Sequence, residues 1–343
     1  MKDFRDKIFL LIFILSGILA GVFLIREVKN FGAESDKIFL AQISTPFENK
    51  SEPIRLFFVG DIMLDRGVEY MVKKYGNNDW HFPFLRIADN LDEADILFGN
   101  LESVISDKGY KIGSIYSFRA EPESIKALKY AGFDVLSVAN NHIFDYGRQA
   151  MEDEFKRLQE AGIDYVGGGF LKNDACSPVI KTIEITSDRT LFQSVKIGFL
   201  GYTNVGSRYW EATEDRSGIC WLNEENLETD IKEARKQADL VIVSIHWGDE
   251  YQSEPNENQK YFGHLAIDLG ADLVIGHHPH IIQPLEDYKN GYIAYSLGNF
   301  LFDQGFSQET MTGLLLEVII QNKKIEKVIP REIKMNEFFQ PSF

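Results

Sequence analysis

The feature that most constrains this chain is a recurrent pattern, a short apolar run that ends in a cluster of polar residues. The runs read IRLFFVGDIML, ADILFGNLES, FDVLSVANNHIFDYG, VKIGFLGYTN, ADLVIVSIHWGDEY and ADLVIGHHPHIIQPLE. Each has the length of a buried strand. Between them the pattern predicts helices over Glu123–Ala131, Gln149–Ala161, Asn226–Ala238 and Asn258–Leu269, several ending in Ala-Gly or Leu-Gly as a glycine cap would. Strands alternating with helices imply an α/β sheet core. From Tyr292 the chain reads instead as strand and hairpin, with a turn expected at Asn322-Lys323-Lys324. No internal repeat or low-complexity segment interrupts the pattern.

In open α/β sheets, ligands gather at the carboxyl ends of the strands. The predicted ends here carry Asp61, then Asn100 and Glu102, then Asn140, Asn141 and His142, then His246, and finally His277, His278 and His280. Each motif alone has a plain structural reading. Gly60-Asp61 suits a turn with an Asx hydrogen bond, Asn141-His142 suits a helix cap, and a histidine on a strand end suits packing. Three imidazoles within four residues suit metal binding better than packing. The ordered series, with every member at a predicted strand end, points to one metal centre.

The N-terminus carries a different signal. Ile8 to Ile25 is an uninterrupted uncharged, mostly apolar run, which as a helix spans roughly 27 Å, close to the hydrocarbon thickness of a bilayer. It is longer than a signal-peptide core and no small-x-small cleavage site follows it, so an uncleaved anchor fits better than a cleaved leader. Lys2, Arg5 and Lys7 before the run favour a cytoplasmic N-terminus, although Arg26 and Lys29 follow it. The expected organisation is a cytoplasmic stub and anchor over residues 1–29 (helix 8–25), a linker over 30–53, and one large domain over 54–343. That places a single-pass protein in the cell membrane with its large domain outside the cytoplasm.

Charge and cysteine content narrow the function classes. The chain carries 52 acidic and 36 basic side chains, a net charge of −16. The first 29 residues hold five basic and three acidic side chains, which leaves −18 on the remainder. No positive surplus is available to displace phosphate counterions, so general nucleic-acid binding is excluded. Two cysteines, Cys176 and Cys220, cannot build a Cys₄ zinc site, and spacing alone does not decide whether they pair. Any metal must be held by His, Asp, Glu or Asn.

The motifs GDIML (Gly60–Leu64), GNLES (Gly99–Ser103), ANNHIFDYG (Ala139–Gly147), IHWGDEY (Ile245–Tyr251), GHHPHIIQ (Gly276–Gln283) and YSLGNFLFD (Tyr295–Asp303) resemble the CapA-type capsule and poly-γ-glutamate biosynthesis proteins of the calcineurin-like metallophosphoesterase superfamily. The resemblance implies a four-layer α/β/β/α sandwich with two divalent ions (Mn, Fe or Zn) at the sheet edge. It implies Asp61 and His280 as ligands of a first ion, Glu102 as the bridge, and Asn141, His246 and His278 as ligands of a second. His142 matches the histidine that protonates the leaving group. Asp145 reads either as its orienting partner or as a cap of the helix beginning near Gln149. Asp65, Ser296 and Asn299 lie in motifs particular to the same group. Two positions depart from the superfamily pattern. Met63 stands where a ligating histidine is usual, and Asn100 stands where an aspartate is usual.

The resemblance carries two expectations of function. One is a membrane-anchored metal-dependent hydrolase or transferase acting on an envelope polymer. The other is a non-catalytic assembly or export subunit of a polymer-synthesis complex. Both imply the same partners, namely capsule or poly-γ-glutamate polymer, membrane proteins of the synthesis complex and the membrane itself. Trp247 is expected to pack rather than wall the cleft, and Trp80–Phe84 to belong to the core.

Overall fold

Strand β1 (Ile54–Ile62) is buried on both faces over almost its whole length, as a strand in an inner layer must be. The computed structural model describes residues 53–112, 115–187 and 191–343, which belong to one compact unit. The apolar run 8–25 and the linker lie outside the described residues. Among the described residues no helix is long and apolar enough to cross a membrane.

The remaining principal elements follow in order: α1 (Arg66–Lys74), β2 (Ile96–Leu101), α2 (Ile125–Ala131), β3 (Val135–Ser137), α3 (Arg148–Ala161), β4 (Asp164–Val166), β5 (Val179–Ser187), β6 (Leu191–Thr203), α4 (Glu224–Gln237), β7 (Leu240–His246), α5 (Glu257–Leu269), β8 (Leu273–His277), β9 (Leu285–Tyr288), β10 (Gly291–Ala294), β11 (Asn299–Leu301), β12 (Thr312–Gln321), β13 (Lys324–Met335) and β14 (Pro341–Ser342). They form two mixed sheets. The first has the order β14-β13-β12-β1-β2-β3-β4, with β11 pairing the end of β1. The second has the order β9-β10-β8-β7-β6-β5. Strands joined through helices run parallel, β12 runs antiparallel to β1, and β13 pairs antiparallel with β12. Its two-residue turn sets Asn322 and Lys323 at φ 52° and 60°, a geometry that suits a right-twisted hairpin.

Three apolar clusters mark the layers. One lies between the sheets, where Phe98 packs 5.7 Å from both Phe58 and Phe199 and bridges the two inner faces. A second joins the first sheet to α1, α2 and α3, and a third joins the second sheet to α4 and α5. Trp80 and Phe84 are buried in the second cluster.

The four expected helices are present, with ends no more than two residues from those expected. α2 is preceded by a 3₁₀ turn at Pro122–Ser124, and α4 begins earlier, at Glu224, where the Asn223 side chain accepts from the Asn226 amide. Helix α1 and strand β5 were not among the expected elements. α1 starts because Asp65 caps it, accepting from the Arg66 amide at 2.7 Å.

Register positions the chemistry. Asp61 pairs with Asn100 of β2 on one side and with Asn299 of β11 on the other, and His246 of β7 pairs with His277 of β8. The approach of β11 depends on Gly60, because a Cβ there would lie 1.8 Å from the Gly298 carbonyl oxygen. That carbonyl accepts the Asp61 amide at 3.0 Å, and Gly298 itself turns at φ 68°.

Candidate metal centre

Asp61, Asn100, Glu102, His246 and the His277–His280 turn meet where the carboxyl ends of β1, β2, β7 and β8 converge. All of these side chains except His278 are essentially fully buried, and His278 is only 6% exposed. The turn after β8 holds His278 at φ 96° and His280 at φ 59°. Left-handed backbone at two non-glycine residues costs free energy that the surroundings must offset, and such strain concentrates at functional sites. Here it turns both rings toward the same carboxylates.

Asp61 is the hub. His277 Nδ1 lies 3.3 Å from its Oδ1 and His280 Nδ1 lies 3.3 Å from its Oδ2, which also accepts the His278 amide at 3.3 Å. Burial acts to raise the Asp61 carboxyl, but His277 and His280 outweigh it and hold the group well below the usual carboxylate range. Glu102 moves the other way. Burial, then the charge of Asp61, pushes it well above that range. Its Oε2 accepts from Asn100 at 3.1 Å, while Oε1 has no hydrogen-bond partner and sits 3.7 Å from His280 Nε2. Burial drives His246 well below its ordinary value, and burial with the His280 charge brings His278 to about 3. Both imidazoles are therefore neutral, the form whose lone pair a cation takes.

The donor atoms fall into two groups, each within 4.8 Å and both containing Glu102. One is Asp61, Glu102 and His246, and the other is Glu102, His278 and His280. The groups overlap, because Asp61 Oδ2 also lies 3.3 Å from His280 Nδ1 and the His246 and His278 ring centres are 4.7 Å apart, the pairings that the resemblance implies. Asn141 is also at the centre, with Oδ1 2.8 Å from His246 Nε2. Met63 is turned away from ligation, since its sulfur accepts the Asp65 amide at 3.1 Å. The donor chemistry fits a divalent ion. Buried Glu102 Oε1 and His278 Nδ1 are unpartnered, and oxygen with imidazole nitrogen suits first-row metals.

His142 stands at the rim, stacked on Phe118 with ring centres 4.0 Å apart. Its Nδ1 is 2.7 Å from Asp145 Oδ2, which also accepts the Phe118 amide at 2.8 Å. An ionised carboxylate only accepts, so Nδ1 carries the proton and Nε2 is left to face the centre, 3.9 Å from Glu102 Oε1. Asp145 does not cap α3, whose cap residue is Gly147 without a side-chain bond. Asp65 bonds the Arg66 and Arg119 amides, Ser296 accepts the Gly298 amide, and Asn299 Oδ1 lies 3.0 Å from His280 Nδ1. Trp247 is fully buried and donates to the Tyr295 carbonyl, so it packs.

A cleft of about 910 Å³ opens over Asn141, His142 and His280. Its walls include Arg66, Trp210 and Tyr251, none of which sequence reasoning singled out for the site. Arg66 and Trp210 come from a helix start and a 3₁₀ turn with no strand-end motif, whereas Tyr251 closes the IHWGDEY motif without having been assigned a role. Arg66 pairs with Asp303 and lies 4.5 Å over the Phe118 ring. Arg66 lies two residues beyond the GDIML motif, and no sequence feature singled it out.

The family model described as "Bacterial capsule synthesis protein PGA_cap" matches residues 55–304. The capsule biosynthesis protein CapA of Bacillus anthracis is 34% identical over 294 residues, covering 83% of this chain and 69% of that protein. The PGA biosynthesis protein CapA of Bacillus subtilis (strain 168) is 35% identical over 260 residues, covering 75% of this chain and 66% of that protein. This chain thus spans about two thirds of the length of these relatives. Among solved structures, a putative 5'-nucleotidase from Staphylococcus aureus superposes on 82% of this chain and 54% of its own at 16% identity and a TM-score of 0.49, a likeness too loose to carry a functional conclusion.

Proposed function

The chain belongs to the bacterial capsule synthesis protein family PGA_cap, and from that premise we propose that it acts on an envelope polymer, capsule or poly-γ-glutamate, as a metal-dependent hydrolase or transferase of the metallophosphoesterase type. One observation carries the reading: the ends of β1, β2, β7 and β8, drawn from both sheets, deliver buried Asp61, Glu102, His246, His278 and His280 to one place and leave Glu102 Oε1 and His278 Nδ1 without protein partners. Asp61, Glu102, His246, His278 and His280 would hold divalent ions (Mn, Fe or Zn), with Asn141 beside His246. Bound there, such ions supply Lewis acidity and positive charge to a tetrahedral centre.

The chain's own residues do the rest. Asp145 fixes the His142 ring and its tautomer, so that Nε2 presents one proton-exchanging nitrogen to the cleft. The buried strand ends exclude bulk water from the carboxylates. Phe118 stacks on the His142 ring and itself carries the Arg66 guanidinium, which restricts the imidazole's orientation at the rim of the centre. A domain at −18 repels a polyanion, so bound cations would provide the attraction that a glutamate polymer needs. We assign the large domain to the outside of the membrane. The anchor-like run over residues 8–25 and the disulfide between Cys176 and Cys220 support that placement.

The second reading, an assembly or export subunit without catalysis, is favoured by Met63, whose sulfur is committed to a backbone amide. His280→Ala separates the two. In cells that depend on this chain for polymer, the catalytic reading expects polymer to disappear and hydrolysis of phosphoester or γ-glutamyl model substrates by the purified full chain to be lost. Wild-type polymer output from the variant would establish the assembly role instead.

A further inference from the structure

We infer that the side-chain amide of Asn100 takes the place of one cation, so that the centre holds a single divalent ion, bound by Glu102, His278 and His280. The inference rests on the metal-centre reading above and deepens it.

The argument begins at the backbone. Asn140 Nδ2 donates to the Leu101 carbonyl at 2.7 Å and Asn140 Oδ1 accepts the His142 amide at 3.0 Å, so two main-chain groups fix which way this amide points. With its NH₂ so placed, Asn140 also donates to Asn100 Oδ1 at 3.3 Å. That fixes Asn100 in turn, and its NH₂ is directed inward. There Nδ2 lies 2.8 Å from Asp61 Oδ1, 3.1 Å from Glu102 Oε2 and 3.4 Å from His246 Nδ1.

Those three acceptors come from the same three residues that make up the first donor group. The two amide hydrogens bond the Asp61 and Glu102 carboxyl groups, with the His246 nitrogen at longer range, and so do there what a cation would do, which is to hold these three side chains together. To admit a metal ion, Asn100 would have to rotate and present its oxygen. Its NH₂ would then face the Asn140 NH₂, donor against donor. The second group has no such plug, since Glu102 Oε1 and His278 Nδ1 lack hydrogen-bond partners. The side chain at position 63 adds nothing to the first group, because its sulfur is bound to the Asp65 amide.

Elemental analysis of the purified full-length chain after equilibration with Mn²⁺ and removal of free metal tests this directly. The expected content is about one ion per chain, with the electron paramagnetic resonance spectrum of isolated Mn²⁺ rather than of a spin-coupled pair. His246→Ala should keep that ion and His278→Ala should lose it. Asn100→Asp, which replaces the donor by a carboxylate, should raise the content toward two. Two ions in the wild type, or loss of the ion in His246→Ala with retention in His278→Ala, would overturn the inference and leave the metal centre standing. No bound metal in the wild type would remove the metal centre itself. The wild-type stoichiometry and spectrum decide the matter even where a variant fails to fold.

Discussion

At the scale of single residues, the contact most open to test is the 2.7 Å bond between His142 Nδ1 and Asp145. Asp145 touches no reacting atom and acts through the ring it orients. Removing the charge while keeping the shape, as in Asp145→Asn, should lower turnover of a phosphoester substrate by about 10- to 100-fold, the usual cost of losing an orienting carboxylate. Metal content should be unchanged, because neither donor group includes Asp145. A variant that loses metal along with activity would show that the residue is structural. Much of this was legible in sequence. Asp61, Glu102, Asn141, His142, His246, His278 and His280 all stand out because strand ends concentrate polar side chains after apolar runs. What sequence could not show was orientation. Asn100 reads as a departure from a pattern, and only the chain of bonds through Asn140 reveals which way its amide faces. The cleft walls at Arg66 and Trp210 were illegible for a related reason, since neither follows an apolar run, and Tyr251, though it closes the IHWGDEY motif, shows its place in the wall only in the fold.

At the scale of elements, the legible parts were those with a strong repeat and a chemical stop. α3 and α5 end at Gly162 and Gly270, each in the left-handed conformation that lets the last carbonyls be satisfied, and both ends were placed correctly from Ala-Gly and Leu-Gly. Strand β5 was missed because it is an edge strand of mixed polarity, and α1 because its apolar stripe, Val68, Met71 and Val72, is confined to about one turn of a nine-residue helix. Helix α3 also hides a group that no pattern announces. Glu154 is fully buried, its Oε2 accepts the Ile105 amide at 2.9 Å and its Oε1 is unpartnered. Burial, then the charge of Asp153, pushes its carboxyl from 4.5 up to about 8. The folded state therefore holds a proton that the unfolded chain releases near pH 4.5. This group's contribution is fully present below that value, falls as pH rises, and is lost once pH passes about 8. Glu154→Gln keeps the acceptor and never ionises. The variant should match wild type near pH 4 and exceed it at pH 8 by a few kcal/mol, on the order of what a multi-unit shift represents. Denaturant titrations at the two pH values check this, and parallel pH profiles for the two proteins would refute it.

At the scale of the whole molecule, the disulfide links packing to location. Cys176 and Cys220 are joined across 44 residues of sequence, and the bridge ties the short helix Lys172–Cys176 to the segment following Gly218–Ile219 at the edge of the second sheet's helical layer. Closing a loop of that length removes unfolded-state entropy worth about 4 kcal/mol. The Cys176→Ala/Cys220→Ala chain should therefore melt roughly 8 °C below the oxidised wild type, at about 2 °C per kcal/mol for a domain of this size. Cys220 is fully buried, so an alanine pair avoids stranding a hydroxyl in the apolar cluster that surrounds it. The same measurement bears on where the domain works. Wild-type protein made in a reducing cytosol should melt with the double variant, and protein recovered from an oxidising compartment should melt at the higher temperature. If native protein isolated from its own cells carries free thiols and shows the lower melting point, the extracytoplasmic placement fails. If it carries the bridge, the proposed extracytoplasmic placement of the acidic domain stands, because a bridge of this kind persists in an oxidising compartment.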